Sequence, residues 1–380
     1  MRTNKLFLFT FLKTFTIMRK NLFILAAALA VCYSCSNDET VEVNQGNAIS
    51  FRPLMTNVTR AADAHFNQSG DQFKVTAFPQ GTTTTAYFSN VVFQGDGSTF
   101  TSTSNKYYWP SGSNLDFYAW APASQSDNYA SIPVTVASAA ASQIDLVYAV
   151  TKDWGKAALQ TETDASHSIS STIQGVTINF RHAESKVVIQ LKNTNSNLDI
   201  TASNVTIGNV YGAGTFAIAE TTTDGQNDAK ITSGWTLTGN ANATYSQDIT
   251  PAVFSTATQA GEEMILIPQQ LTNETTYSNT GSFNGAYITV ALKIRNHADN
   301  SYIVGATDQY VTAMFPLPAT TWAPGYKYIY TVDLAGGGYY PTDQDNNTDL
   351  DPILEGAEIK FVTVTVDNWT DATGIDVTMP

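Results

Sequence analysis

The residues that could do chemistry in this sequence are few. Its only two cysteines, Cys32 and Cys35, stand at the end of an apolar run from Leu22 to Val31 that follows the basic pair Arg19 and Lys20. Such a run is too short to span a bilayer and has the form of a signal peptide. Ser34 before Cys35 matches the small residue at the cleavage point of a bacterial lipoprotein precursor, so Cys35 is the expected lipid carrier. Ser36-Asn37-Asp38-Glu39 then follows as a solvated tether. Cys32, behind Val31, fits that pattern less well. The C-x-x-C spacing is also that of a redox pair, but a redox motif opens a helix beside a βαβ pattern, and none follows. Met18 restarts the same leader, so Met1 and Met18 are both candidate starts.

Asp343, Asp345, Asn347, Asp349 and Asp351 fall at every second position, like the opening of a calcium loop whose alternate side chains converge on one cation. The remainder of that loop is missing: Thr348 stands where glycine is needed and Leu354 where a bidentate glutamate is needed. Asp343, Asp345 and Asp349 are therefore weak calcium candidates, and a solvated acidic linker is the plainer reading. The four histidines, His65, His167, His182 and His297, are scattered and lack the spacing of a helical zinc site. His182 reads as a histidine of a turn or core edge. No nucleophile elbow, phosphate loop or dinucleotide fingerprint appears, so the sequence predicts neither an enzyme nor a cofactor. Tyr107-Tyr108-Trp109 and Tyr339-Tyr340 could stack on sugar rings, although aromatic groups more often pack cores and sheet edges. A surface glycan-binding lipoprotein is the alternative function they support.

The elements that must position these residues are strands. Charged residues make up only 14% of the chain, against abundant threonine, serine, asparagine and tyrosine, a balance that suits half-buried strands. Short β-branched and aromatic runs recur at Phe73 to Phe78, Leu115 to Trp120, Lys186 to Lys192, Tyr287 to Ile294, Tyr326 to Leu334 and Ile359 to Val366, separated by Gly, Pro, Asn, Asp and Ser clusters. Only Ser138 to Ser142 and a turn near Trp154 to Gln160 read as helical, and neither could cover a parallel sheet. The prediction is an all-β protein of two antiparallel β-sandwich domains in tandem. We place a signal peptide at 1–34, a lipid-anchored tether at 35–47, one sandwich at 48–195 and the second at 196–380, divided at the polar cluster Asn193 to Asn197.

Charge narrows the partners. The formal net charge is −14, and the five basic residues before Cys35 have no acidic counterpart, so the part beyond the leader is more negative still. That argues against nucleic acid and anionic membrane surfaces as partners. No cysteine follows Cys35, so the exported body must hold together by core burial and strand pairing without disulfides.

Several stretches together resemble the fimbrillin family, the pilus subunits and related lipoproteins of gut and oral Gram-negative anaerobes. They are the lipoprotein start at Cys35, Ile49-Ser50-Phe51 leading to Thr59-Arg60-Ala61, Tyr108-Trp109-Pro110, Leu115 to Pro122, Asp145 to Ala149, Phe180-Arg181-His182-Ala183 running into Lys186 to Ile189, Leu266 to Gln269, and Trp322 to Tyr328. The resemblance implies two transthyretin-like sandwiches and a lipid-anchored precursor on the outer membrane and cell surface. It further implies cleavage by a trypsin-like protease, after which the first strand leaves and a strand of another pilus subunit takes its place. Arg60, followed by Ala61, matches the processing site, and Ile49, Ser50 and Phe51 the exchanged strand. Ile359, Phe361, Val362 and Val364 lie in the candidate donor, which reads equally as the last strand of the second sandwich, buried on both faces. A ligand on a host or bacterial surface would be a further partner of such an adhesive fimbrium.

Overall fold

The computed structural model describes residues 43–53, 66, 68–96, 99–155, 175–218, 234–356 and 362–369. Cys35, Arg60, Ala61, Ile359 and Phe361 lie outside them. Nearly all regular structure in the described residues is strand, with two short 3-10 turns, Ala140–Ser142 and Leu334–Gly336. The alanine-rich segment expected to be helical supplies the first of these. Trp154, expected in a turn, ends the strand Val147–Trp154. No helix among the described residues is long and apolar enough to cross a membrane.

The first core lies against an eight-stranded sheet in the order Val176–Ile178, Ser50–Pro53, Phe100–Ser102, Phe88–Asp96, Ser69–Pro79, Leu115–Ala121, Val147–Trp154, Arg181–His182. Phenylalanine dominates this core, with Phe51, Phe73, Phe93, Phe100 and Phe117 all fully buried. Gly95 faces Phe100 across the sheet, and a Cβ there would come within 2.6 Å of that ring, so the absent side chain lets the ring lie flat over the strand. Leu115–Ala121 is buried at every position because both of its faces are covered. Leu115, Phe117 and Ala119 point into the phenylalanine core, while Tyr118 and Trp120 join a separate cluster with Ile132, Tyr148 and Phe216.

That separate cluster is covered by a three-stranded sheet, Trp235–Leu237, Ala213–Phe216 and Ile132–Thr135. Two of its strands come from the second half of the sequence and one from the first. The largest core lies in the remaining part, with strands of two five-stranded sheets around it. One sheet joins Thr258–Gln259, Ser185–Lys192, Tyr326–Asp333 and Thr363–Asn368, with Met264–Leu266 also paired to Ser185–Lys192. The other joins Ala243–Val253, Leu198–Val210, Tyr287–Asn296 and Tyr302–Val304, with Val311–Pro316 also paired to Tyr287–Asn296. Leu198–Val210 and Tyr287–Asn296 bury alternate residues, as a half-covered sheet requires.

Two features differ from the sequence expectation. The strand Ser185–Lys192, placed by sequence at the end of the first unit, pairs with Met264–Leu266 and Tyr326–Asp333, so the chain changes sheets near Ala183, before the polar cluster at Asn193. Pairing is also mixed: Ser185–Lys192 runs parallel to Tyr326–Asp333, and Val176–Ile178 parallel to Ser50–Pro53, within an otherwise antiparallel set. Each parallel pair joins segments more than a hundred residues apart, a separation that local periodicity cannot register.

Candidate functional site

Ser50–Pro53 is an interior strand with two neighbours. It pairs antiparallel with Phe100–Ser102 on one side and parallel with Val176–Ile178 on the other. Alternation sends Phe51 and Pro53 inward and leaves Ser50 and Arg52 partly exposed. The Phe51 ring meets Phe93, Phe117 and Phe73 edge-on, at centroid distances of 4.7, 5.1 and 5.9 Å. Ile49 is buried beside it and donates its N–H to the Tyr107 carbonyl at 2.7 Å. Arg52 donates to the Thr177 hydroxyl at 3.1 Å. Upstream, Val43–Ala48 pairs with Tyr108–Pro110. Withdrawing the segment 43–53 would open three strand edges, those of Tyr108–Pro110, Phe100–Ser102 and Val176–Ile178, and uncover an aromatic slot, the kind of groove an extended segment can fill through main-chain hydrogen bonds and alternate side chains.

The last described strand, Thr363–Asn368, holds the edge of its sheet by antiparallel pairing with Tyr326–Asp333. It is not buried on both faces as the sequence suggested. All of its residues but Val364 are exposed, Val366 to 49%. Val362, just before it, is buried and Val364 packs at the margin of the large core. Its other anchor is Trp369, whose ring stacks on His182 at 3.6 Å between centroids and 4° between planes. His182 Nδ1 lies 2.9 Å from Asp145, and Lys186 Nζ sits 4.5 Å from the Trp369 ring centre. Lys186 and Lys327 converge on Glu263, at 3.2 and 2.9 Å. Burial alone would push the Glu263 carboxyl up, but the two ammonium groups outweigh it and hold the carboxyl below its ordinary value. His182 is thus a buried histidine in the edge strand Arg181–His182, where the sequence left a core-edge or a turn position open. Its stacking partner, 187 positions on, carries no signal in the sequence.

The acidic loop gathers a different set of residues from the one expected. Carboxylate oxygens of Asp343, Asp345 and Asp351 lie within 4.8 Å of one another, while Asp349 stands outside the group. Asn346 and Thr348 both have positive φ, so the loop is not the extended run that would place alternate side chains on one side. Asp343 accepts hydrogen bonds from the backbone of Asp345, Asn346 and Thr348, and these N–H groups hold its carboxyl below the ordinary value against the opposing pull of desolvation. The alternate acids serve the loop's own backbone as turn acceptors. The aromatic groups proposed for sugar stacking are also engaged in packing. Trp109 is buried against Phe117, Tyr107 lies on Phe88, and Tyr339 packs onto the cluster around Met314.

The sequence matches the fimbrillin-like family over residues 59–369. The chain belongs to that family, which makes it a fimbrial or adhesion subunit of the cell surface. Similar solved structures include a fimbrial protein from Bacteroides vulgatus, 14% identical, covering 85% of this chain and 100% of that one at a TM-score of 0.46. A fimbrilin from Porphyromonas gingivalis is 10% identical, covering 88% of this chain and 100% of that one at a TM-score of 0.43. Among curated proteins none matches the sequence. The assignment rests on the family match.

Proposed function

We propose that this chain is a polymerising fimbrial subunit, exported as an outer-membrane lipoprotein through Cys35 and activated by cleavage between Arg60 and Ala61. The observation that carries the reading is the position of Phe51, fully buried on a four-residue strand held between two neighbours. Arg60 lies in sequence between that strand and Phe66, the next core residue among those described. A cut there leaves the strand bound by non-covalent contacts alone. Cys35 lies on the same side of the cut, so the lipid leaves with the strand.

The vacated groove then accepts a strand from another subunit. The donor in this reading is the C-terminal segment containing Ile359, Phe361, Val362 and Val364. Its described strand is paired on one edge only and mostly exposed, so it gives up less burial on release than any central strand would.

The test is intact mass and electron microscopy of the lipid-free chain, beginning at Ser36, before and after brief trypsin treatment. Loss of the segment ending at Arg60 together with the appearance of ladders or filaments supports the reading. A trimmed protein that stays monomeric contradicts polymerisation and moves weight to the glycan-binding alternative, for which retention on a polysaccharide gel is the check.

A further inference from the structure

The groove at Phe51 sets narrow terms for whatever fills it. Ile49, Phe51 and Pro53 are buried, while Ser50 and Arg52 between them are partly exposed. The buried places are unequal. Phe73, Phe93 and Phe117 surround Phe51 edge-on and enclose a space the size of its ring, which a β-branched side chain would leave partly empty at a cost in stability. The strand is also the only strand partner of Val176–Ile178 among the described residues, so an occupant must pair on both sides.

Ile49-Ser50-Phe51 is an Ile-x-Phe pattern, which places two apolar residues on one face of a strand. The pattern recurs at Ile178-Asn179-Phe180, whose isoleucine and phenylalanine are both buried in this same core. It occurs once more, at Ile359-Lys360-Phe361. Phe361 is the only aromatic residue from Ala357 to Asn368, so a single register of that segment brings a ring to the place of Phe51. Laid in the direction of the strand that leaves, the same register brings Ile359 to the place of Ile49, where its N–H would meet the Tyr107 carbonyl. Lys360 and Val362 then take the partly exposed places of Ser50 and Arg52. Laid in reverse, the segment would carry Ile359 to the place of Pro53 and lose the match. We propose that the groove selects an Ile-x-Phe strand in the direction of the leaving strand, and that its occupant is Ile359-Lys360-Phe361 of a second copy of this chain, with Phe361 in the place of Phe51. The proposal rests on the strand-exchange reading and adds to it the register, the direction and a self partner.

The experiment is disulfide trapping of peptides in the opened groove. The chain from Ser36 carrying Thr101→Cys is cut after Arg60 with trypsin, the trypsin is inhibited, and excess single-cysteine peptide is added in a glutathione redox buffer. Ser50 and Thr101 are direct partners, so a peptide thiol in the place of Ser50 is within disulfide reach of the Thr101→Cys thiol. A peptide of residues 47–55 with Ser50→Cys reports whether the groove opens. Peptides of residues 357–368 carry Lys360→Cys, Phe361→Cys, Val362→Cys or Thr363→Cys. The Lys360→Cys peptide should crosslink well ahead of the other three, and adding Phe361→Ala to it should lower its crosslinking about thirtyfold, the loss expected of a buried aromatic anchor. With the 47–55 peptide crosslinking, a lead by any of the other three, no crosslinking by all four, or indifference to Phe361→Ala would overturn the proposal and leave strand exchange standing. No crosslinking of the 47–55 peptide would overturn both.

Discussion

The indole of Trp369 lies flat on the imidazole of His182, 3.6 Å between ring centres and 4° from parallel. His182 belongs to the two-residue strand that closes the first sheet, and Trp369 directly follows the last strand of a sheet around the large core. The contact therefore fastens an exposed edge strand to a buried strand residue that is itself tied down through Asp145.

Loss of that ring should free the strand. Trp369→Ala is expected to cost about 3 kcal/mol, in the range for a buried aromatic, and the cost should be local. Hydrogen exchange is the measurement. The amides of Thr363–Asn368 should exchange roughly a hundredfold faster, while those of Leu115–Ala121 should not change. Uniform acceleration across both would mean that Trp369 supports the whole fold and not the edge strand alone.

Phe51 and Val366 make a matched contrast. Phe51→Ala removes a ring enclosed by Phe73, Phe93 and Phe117 and should destabilise the uncleaved chain by about 3–5 kcal/mol in denaturant titration. Val366→Ala, on a side chain already half exposed, should stay within about 0.5 kcal/mol. Equal effects would contradict the placement of Ser50–Pro53 as a core strand.

The Glu263 carboxyl is held below its ordinary value of 4.5 by Lys327 and Lys186. Because its folded pKa is depressed, its contribution to stability is present above about pH 4.5 and is lost as pH falls through the folded value. Glu263→Gln should cost about 3 kcal/mol at neutral pH, since Lys186 is fully buried beside it. It should also flatten the acid limb of the stability profile below pH 4.5. An acid limb identical to that of the parent chain would show that the carboxylate is not coupled to folding.

Much of the strand content was legible because it depends on local patterning. Phe73 to Phe78, Leu115 to Trp120 and Tyr287 to Ile294 all fall inside observed strands. Pairing was not legible, since Ser185–Lys192 could have closed either sheet and its partners lie near 265 and 328. The three-stranded sheet that joins Ile132–Thr135 to Ala213–Phe216 is hidden for the same reason. At the sites, the family resemblance pointed to Ile49–Phe51 as a strand, and the structure has the strand Ser50–Pro53 there, with two neighbours. Asp351 stands in the acidic group where Asp349 was expected, in a loop with positive φ at Asn346 and Thr348, which period-two counting of an extended chain cannot foresee.

The central claim is that the strand at Ser50 must leave for subunits to join. Ser50 and Thr101 are direct antiparallel partners, and such a pair is close enough for a disulfide. The chain from Ser36 has no other cysteine, so the double variant Ser50→Cys, Thr101→Cys can be locked and released cleanly. After cleavage at Arg60, the oxidised variant should remain monomeric under electron microscopy and form ladders or filaments once reduced. Filaments from the oxidised variant, equal to those of the cleaved parent chain, would show that subunits join without releasing this strand and would contradict the account.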